Sequence, residues 1–202
     1  MRAPILAAVL ALALPLAGCG ALSSLSRASG ALDAYTLAPL PVAPGRAGSS
    51  HLVVATPTAT GALATDRILI KPSRVQAQYL PGARWSDAAP VLVQSLLVGS
   101  LQNAGGLRLV SRDPGGLVPD YELMTDLRDF QAESSASGAP VVRVGLMLTL
   151  IREADRQIVA TRRVEATATA ASDRTADVVA AFDQATTRAL AEVADWIRGR
   201  AR

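Results

Sequence analysis

The 202-residue chain has one cysteine, one histidine and one lysine, and its aromatic content is only 3%. With Cys19 the sole thiol, no intramolecular disulfide can form, so packing alone must hold the fold. One His and one Cys cannot assemble a zinc ligand set. His51 follows Ser49-Ser50 at the mouth of a short apolar run, with no Ser or Cys nucleophile motif beside it. It reads as a solvated loop residue. The carboxylates Asp126, Asp129 and Glu133 are interleaved with Arg128 on an alternating stretch, which is the pattern of a solvated sheet face rather than a glycosidase couple. Gly105-Gly106 and Gly115-Gly116 lack the lysine of a phosphate-binding loop and the spacing of a dinucleotide fold. The composition thus points away from an enzyme. Net charge is only +3, nineteen of the twenty basic residues are arginine, and no block of five like charges occurs. Nucleic-acid binding has no support in that pattern.

What is present begins at the N-terminus. Arg2 precedes an apolar run from Ile5 to Leu16, and Leu16-Ala17-Gly18-Cys19 follows. A cationic start, an apolar segment of about 7–15 residues and a small-residue exit form a secretory signal peptide. A spanning helix needs roughly 20 apolar residues, and this run breaks at Gly18. The four residues resemble the lipobox of bacterial lipoproteins, in which the cysteine is lipidated and becomes the mature N-terminus. That resemblance assigns residues 1–18 to a signal peptide and a covalent lipid to Cys19, with no other cofactor. Gly20 in place of Asp points to the outer membrane.

Gly20 to Leu32 is rich in Ser, Ala and Gly, and it reads as a flexible tether that spans at most about 50 Å. Tyr35-Thr36-Leu37 is a strand-like triplet, and Pro39, Pro41, Pro44, Gly45 and Gly48 then make a loop. Residues 19–50 are therefore taken as lipidated terminus, tether and loop, and 51–202 as the domain. Leu52–Ala55 and Arg67–Lys71 read as strands stopped by Pro57 and Pro72, and Val75–Leu80 as one ended by a Pro81-Gly82 turn. A helix follows, capped near Ser86 and stopped at Gly105-Gly106, with Val93, Leu97 and Leu101 on one wide apolar face. Leu107–Val110 is a short strand.

From Tyr121 the period is two: Leu123, Thr125 and Leu127 share one face with Tyr121, and Phe130 falls on the other, at the sheet edge. Val141–Arg152 and Gln157–Ala168 form a long hairpin. Its inward rows are Val142, Val144, Leu146, Leu148 and Leu150, then Ile158, Ala160, Val164, Ala166 and Ala168. Val178, Phe182, Ala185, Ala189, Val193 and Trp196 make one stripe of a last helix capped by Ser172-Asp173. The fold expected is α+β, a largely antiparallel sheet with two amphipathic helices on one face.

In this order the segments resemble the ABC-type transport auxiliary lipoprotein family, whose best-known branch is PqiC-like. The resemblance runs through the lipobox at Cys19, Tyr35-Thr36-Leu37, Leu63 with Asp66-Arg67, and Tyr79 with Arg84-Trp85. It continues in Asp120-Tyr121-Glu122-Leu123 with Phe130, the long hairpin and the final helix. It implies a non-catalytic partner of an ABC ATPase, its permease and an MCE-domain protein, in a system that moves lipids between the membranes and supports envelope integrity. It also implies docking to the MCE subunit, as a homo-oligomeric ring. The alternatives are a lipid-carrying lipoprotein and an outer-membrane assembly or secretion lipoprotein. Tyr79, Trp85 and Tyr121 are candidates for core aromatics or partner contacts, and Asp66 and Arg67 for a local turn and ion pair.

Overall fold

The strand on which the sheet is built is β7, Tyr121–Glu133. In the computed structural model, which describes residues 32–44, 48–135 and 138–201, β7 has an antiparallel partner on one edge and three short parallel ones on the other. Residues 1–31, with the leader, Cys19 and nearly all of the tether, lie outside the described residues. The compact unit that holds the sheet starts at Asp33.

Along the second edge of β7 lie β2 (His51–Val54), β3 (Thr58–Ala59) and β4 (Arg67–Ser73), end to end and all parallel to it. Pro57 interrupts the ladder between β2 and β3 because it can donate no hydrogen bond. β5 (Gln76–Trp85) returns antiparallel to β4, and β1 (Asp33–Tyr35) adds parallel to β5. β6 (Leu109–Ser111) adds parallel to β2. On the first edge, β8 (Val141–Arg152) and β9 (Gln157–Thr169) complete a long antiparallel ladder. The sheet is mixed: its long pairings are antiparallel and its short ones mostly parallel. Pro72 and Pro81-Gly82 do not end strands as the sequence suggests. Both sit inside strands, at register shifts between β4 and β5, and Gly82 supplies the positive φ of 71° that the second shift needs.

The inward residues of β8 are buried as the alternation predicts. Two bulges change the phase elsewhere. Arg128 is an extra residue between the pairs Leu127–Leu146 and Asp129–Gly145. It returns Phe130 to the face of Leu123 and Leu127, where Phe130 is 1% exposed, instead of leaving it at the edge. A second shift, after Leu150–Ala160, turns Ile158 out of the inward row, and it is 63% exposed. The first bulge explains Gly145. A Cβ there would lie 2.5 Å from Asp129 Oδ2. Gly145→Ala is therefore expected to cost about 1–3 kcal/mol through overpacking. Urea denaturation of the variant checks this, and an unchanged midpoint would contradict it.

Two helices cover one face. α1 (Ala89–Ala104) begins without a side-chain cap, because the Ser86 N–H is still bonded to the Tyr35 carbonyl at 2.7 Å. Pro90 in the first turn and the Ala89 N–H bond to the Thr65 carbonyl satisfy that end instead. Gly105, with φ of 70°, closes the other end. α1 is buried on more than the one face expected of it, since residues 38–44 run along its outer side. Leu40 N–H donates to Ser100 Oγ, and Asn103 Nδ2 donates to the Leu40 carbonyl. α2 (Thr175–Arg198) has Arg174 at its N-cap rather than Ser172 or Asp173. Ser172 Oγ accepts from Arg174 N–H and donates to Asp177 Oδ2, which lies in the first turn. The whole predicted stripe, Val178 to Trp196, is buried against β8, β9 and α1. Arg188 clamps the helix to β9 by donating to the Thr167 carbonyl at 2.6 Å.

Candidate functional site

Asp66, Arg67, Tyr79, Arg84 and Trp85 are scattered over 20 positions of the sequence, and β4 and β5 bring them together. The register shift between these strands places Arg67 opposite Arg84 and Leu69 opposite Tyr79. The Trp85 N–H donates to the Asp66 carbonyl at 2.6 Å, which ties the two strand ends. Thr65 Oγ1 accepts from Arg67 N–H at 3.1 Å and makes the local turn. The ion pair is not Asp66 with Arg67. Asp66 Oδ2 meets Arg84 Nη1 at 3.4 Å, with both side chains about 40% exposed, so the pair contributes roughly 0–1 kcal/mol. Arg67 instead lays its guanidinium on the Tyr79 ring, 5.4 Å from the centroid, and its Nε is buried without a partner. Cation–π contact at such a site contributes about 0.5–1 kcal/mol. The result is a surface where Tyr79, 37% exposed, and two arginines stand beside a single carboxylate.

Trp85 lies beneath, wholly buried. Its ring is 5.4 Å from that of Phe130 and 5.0 Å from that of Phe182, and those two are 5.1 Å apart. The three rings fill the space between β5, β7 and α2. Alternation alone puts Phe130 at the sheet edge and apart from Phe182 on the helix stripe, and only the bulge at Arg128 lets them meet. Tyr121 is not part of this group. It is half-buried at the start of β7, opposite Leu52 and Arg152.

His51 is not the solvated residue that its neighbours suggest, being 1% exposed. Its N–H donates to Asp120 Oδ2 at 2.7 Å, and the Asp120 N–H returns a bond to the His51 carbonyl. On the ring, Nε2 lies 2.9 Å from Ser111 Oγ. The Ser111 hydroxyl donates to the Asp113 carbonyl at 2.6 Å, so it accepts from Nε2–H, and the buried Nδ1 has no partner. In an activated nucleophile the proton would run the other way and a carboxylate would orient the ring. This pair joins β2 to β6.

The three carboxylates of β7 do not converge. Asp126 pairs with Arg128, Asp129 accepts from Gln131, and Glu133 accepts from both Gln131 and Arg143. Among the described residues no group of three or more His, Cys, Asp or Glu could hold a metal. No described helix is long and apolar enough to cross a membrane. Burial pushes the Glu133 carboxyl up, but hydrogen bonds from Gln131 and Arg143 and the charges of Arg143 and Lys71 outweigh it. The group is held below the ordinary carboxylate range. A carboxyl depressed on folding contributes stability that is present above its unfolded-state pKa and is lost as pH falls through the folded-state value. Glu133→Gln is therefore expected to flatten the acid limb of the stability profile. Denaturation midpoints from about pH 3 to 6 check this, and an unaltered slope would contradict it.

The profile of the family described as ABC-type transport auxiliary lipoprotein component matches residues 35–194. A protein of Bradyrhizobium diazoefficiens, bll6063, is 30% identical over 148 residues, 73% of this chain and 39% of that protein. The chain therefore spans well under half of that relative's length. The crystal structure of XCC0632 from Xanthomonas campestris is 28% identical, with a TM-score of 0.73, covering 83% of this chain and 94% of that one. A second crystal structure, 17% identical with a TM-score of 0.64 over 82% of this chain and 99% of the other, shares the fold. The chain belongs to the ABC-type transport auxiliary lipoprotein component family.

Proposed function

We propose that this protein is a non-catalytic, lipid-anchored docking subunit of an MCE-type ABC transport system, which moves lipids between the inner and outer membranes and supports envelope integrity. Family membership over 35–194 carries the reading. Cys19 bears the acyl chains, and the domain stands at the periplasmic face of the outer membrane. It acts there with the MCE-domain protein, the permease and the ATPase, as a homo-oligomeric ring. The packed core supports docking over carriage of an acyl chain, because Trp85, Phe130 and Phe182 fill the space between sheet and helices.

The Tyr79–Arg67 surface is the proposed contact with the MCE subunit. A half-exposed aromatic ring held in place by an arginine is an anchor of the kind enriched at interface centres. A photo-crosslinking residue at Tyr79, in cells that make the whole system, is expected to give an adduct with the MCE protein. The same probe at Val118, which is 87% exposed and follows β6, is expected to give none. Adducts at Val118 and not at Tyr79 would move the dock elsewhere.

A further inference from the structure

Of the described basic side chains, only Lys71 and Arg74 have no hydrogen bond, ion pair or ring contact. Every described arginine but Arg74 is engaged, by carboxylates, by Ser95 and the Thr167 carbonyl, or by Tyr79 and Trp196. The two exceptions stand together. They line an open cleft of about 490 Å³ at one end of the sheet, with Ser73, Glu133, Ser134 and Arg143. Glu133, the one carboxylate of the lining, is hydrogen-bonded to Arg143 and also feels the Lys71 charge, so three cations face a single anion and the cleft keeps a positive excess. Beside them Val75, at the turn between β4 and β5, is 97% exposed.

We infer that the β4–β5 turn is a contact with a lipid surface, in which Lys71 and Arg74 meet the phosphates of anionic headgroups and Val75 enters the interface. Unpaired cations beside a projecting apolar side chain suit that boundary, where charge and apolar burial act together. An aqueous anion would use the cations and leave Val75 without a role. The inference rests on the lipid anchor at Cys19 to bring the turn within reach, but not on the MCE partner.

In the lipidated chain Cys19 is acylated, so Val75→Cys supplies one free thiol for a polarity-sensitive fluorophore. The labelled chain is reconstituted in vesicles of phosphatidylcholine alone and of phosphatidylcholine with phosphatidylglycerol at about 7:3. A blue shift is expected only with the anionic lipid. Lys71→Gln and Arg74→Gln are each expected to lower the docked fraction about fivefold, from roughly 1 kcal/mol per basic residue near such a surface. A label at Val118→Cys should not shift. Equal shifts in both vesicles, or no effect of the two substitutions, would overturn the contact. So would loss of the shift in inorganic phosphate but not in chloride of equal ionic strength, which would mark a site for free phosphate. Flotation reports the anchor separately, so absence of the shift in chains that float overturns this contact and leaves the anchor standing.

Discussion

Trp85→Ala is expected to lower the stability of the domain by about 3–5 kcal/mol, the range for deleting a large buried aromatic. Trp85 is fully buried and touches two rings at centroid distances near 5 Å, so its loss empties the place where β5, β7 and α2 meet. No disulfide is there to offset the loss. A domain has about 5–15 kcal/mol in all, so the variant would stand near the limit of folding. For a chain of this size the melting temperature should fall by roughly 6–20 °C. Trp85→Phe is expected to cost much less. It keeps the aromatic contacts and removes the indole N–H, which is buried without a hydrogen-bond partner. Thermal denaturation of the two variants beside the parent decides the matter. Equal, small losses would mean that Trp85 fills no essential space.

Cys19→Ala is expected to abolish acyl labelling altogether. The variant would either remain an uncleaved precursor or release a soluble domain. Each buried CH₂ contributes about 0.8 kcal/mol, and anchoring by more than one chain is stable while anchoring by one is marginal. No described helix is long and apolar enough to cross a bilayer. Metabolic labelling with palmitate and fractionation of the envelope check the prediction. Normal labelling of Cys19→Ala would refute the assignment of the lipid to that residue.

The long elements were legible because their periods are long. Twelve residues of β8 and the stripe of α2 repeat one spacing often enough to declare the buried face. What was not legible depends on contacts distant in sequence. Strict alternation puts Phe130 on the wrong face because the single extra residue Arg128 inverts the phase, and only the pairing of Asp129 with Gly145 reveals it. β1 is three residues long and is a strand only because β5 lies beside it. His51 is buried by Ser111 and Asp120, some sixty to seventy positions away. At the candidate site the residues were visible and their partners were not. Asp66 pairs with Arg84 and not with its neighbour Arg67, a partner 18 positions away that only the return of β5 alongside β4 brings near.

The proposed docking of this lipoprotein to an MCE-type ABC transport system is open to one measurement. Affinity capture of the intact lipidated chain from detergent-solubilised envelopes, with the captured proteins identified, tests it most directly. An MCE-domain protein, a permease and an ATPase are expected together, at lower yield when Tyr79 is replaced by alanine. Repeated capture with none of the three, or with β-barrel assembly proteins in their place, would contradict it.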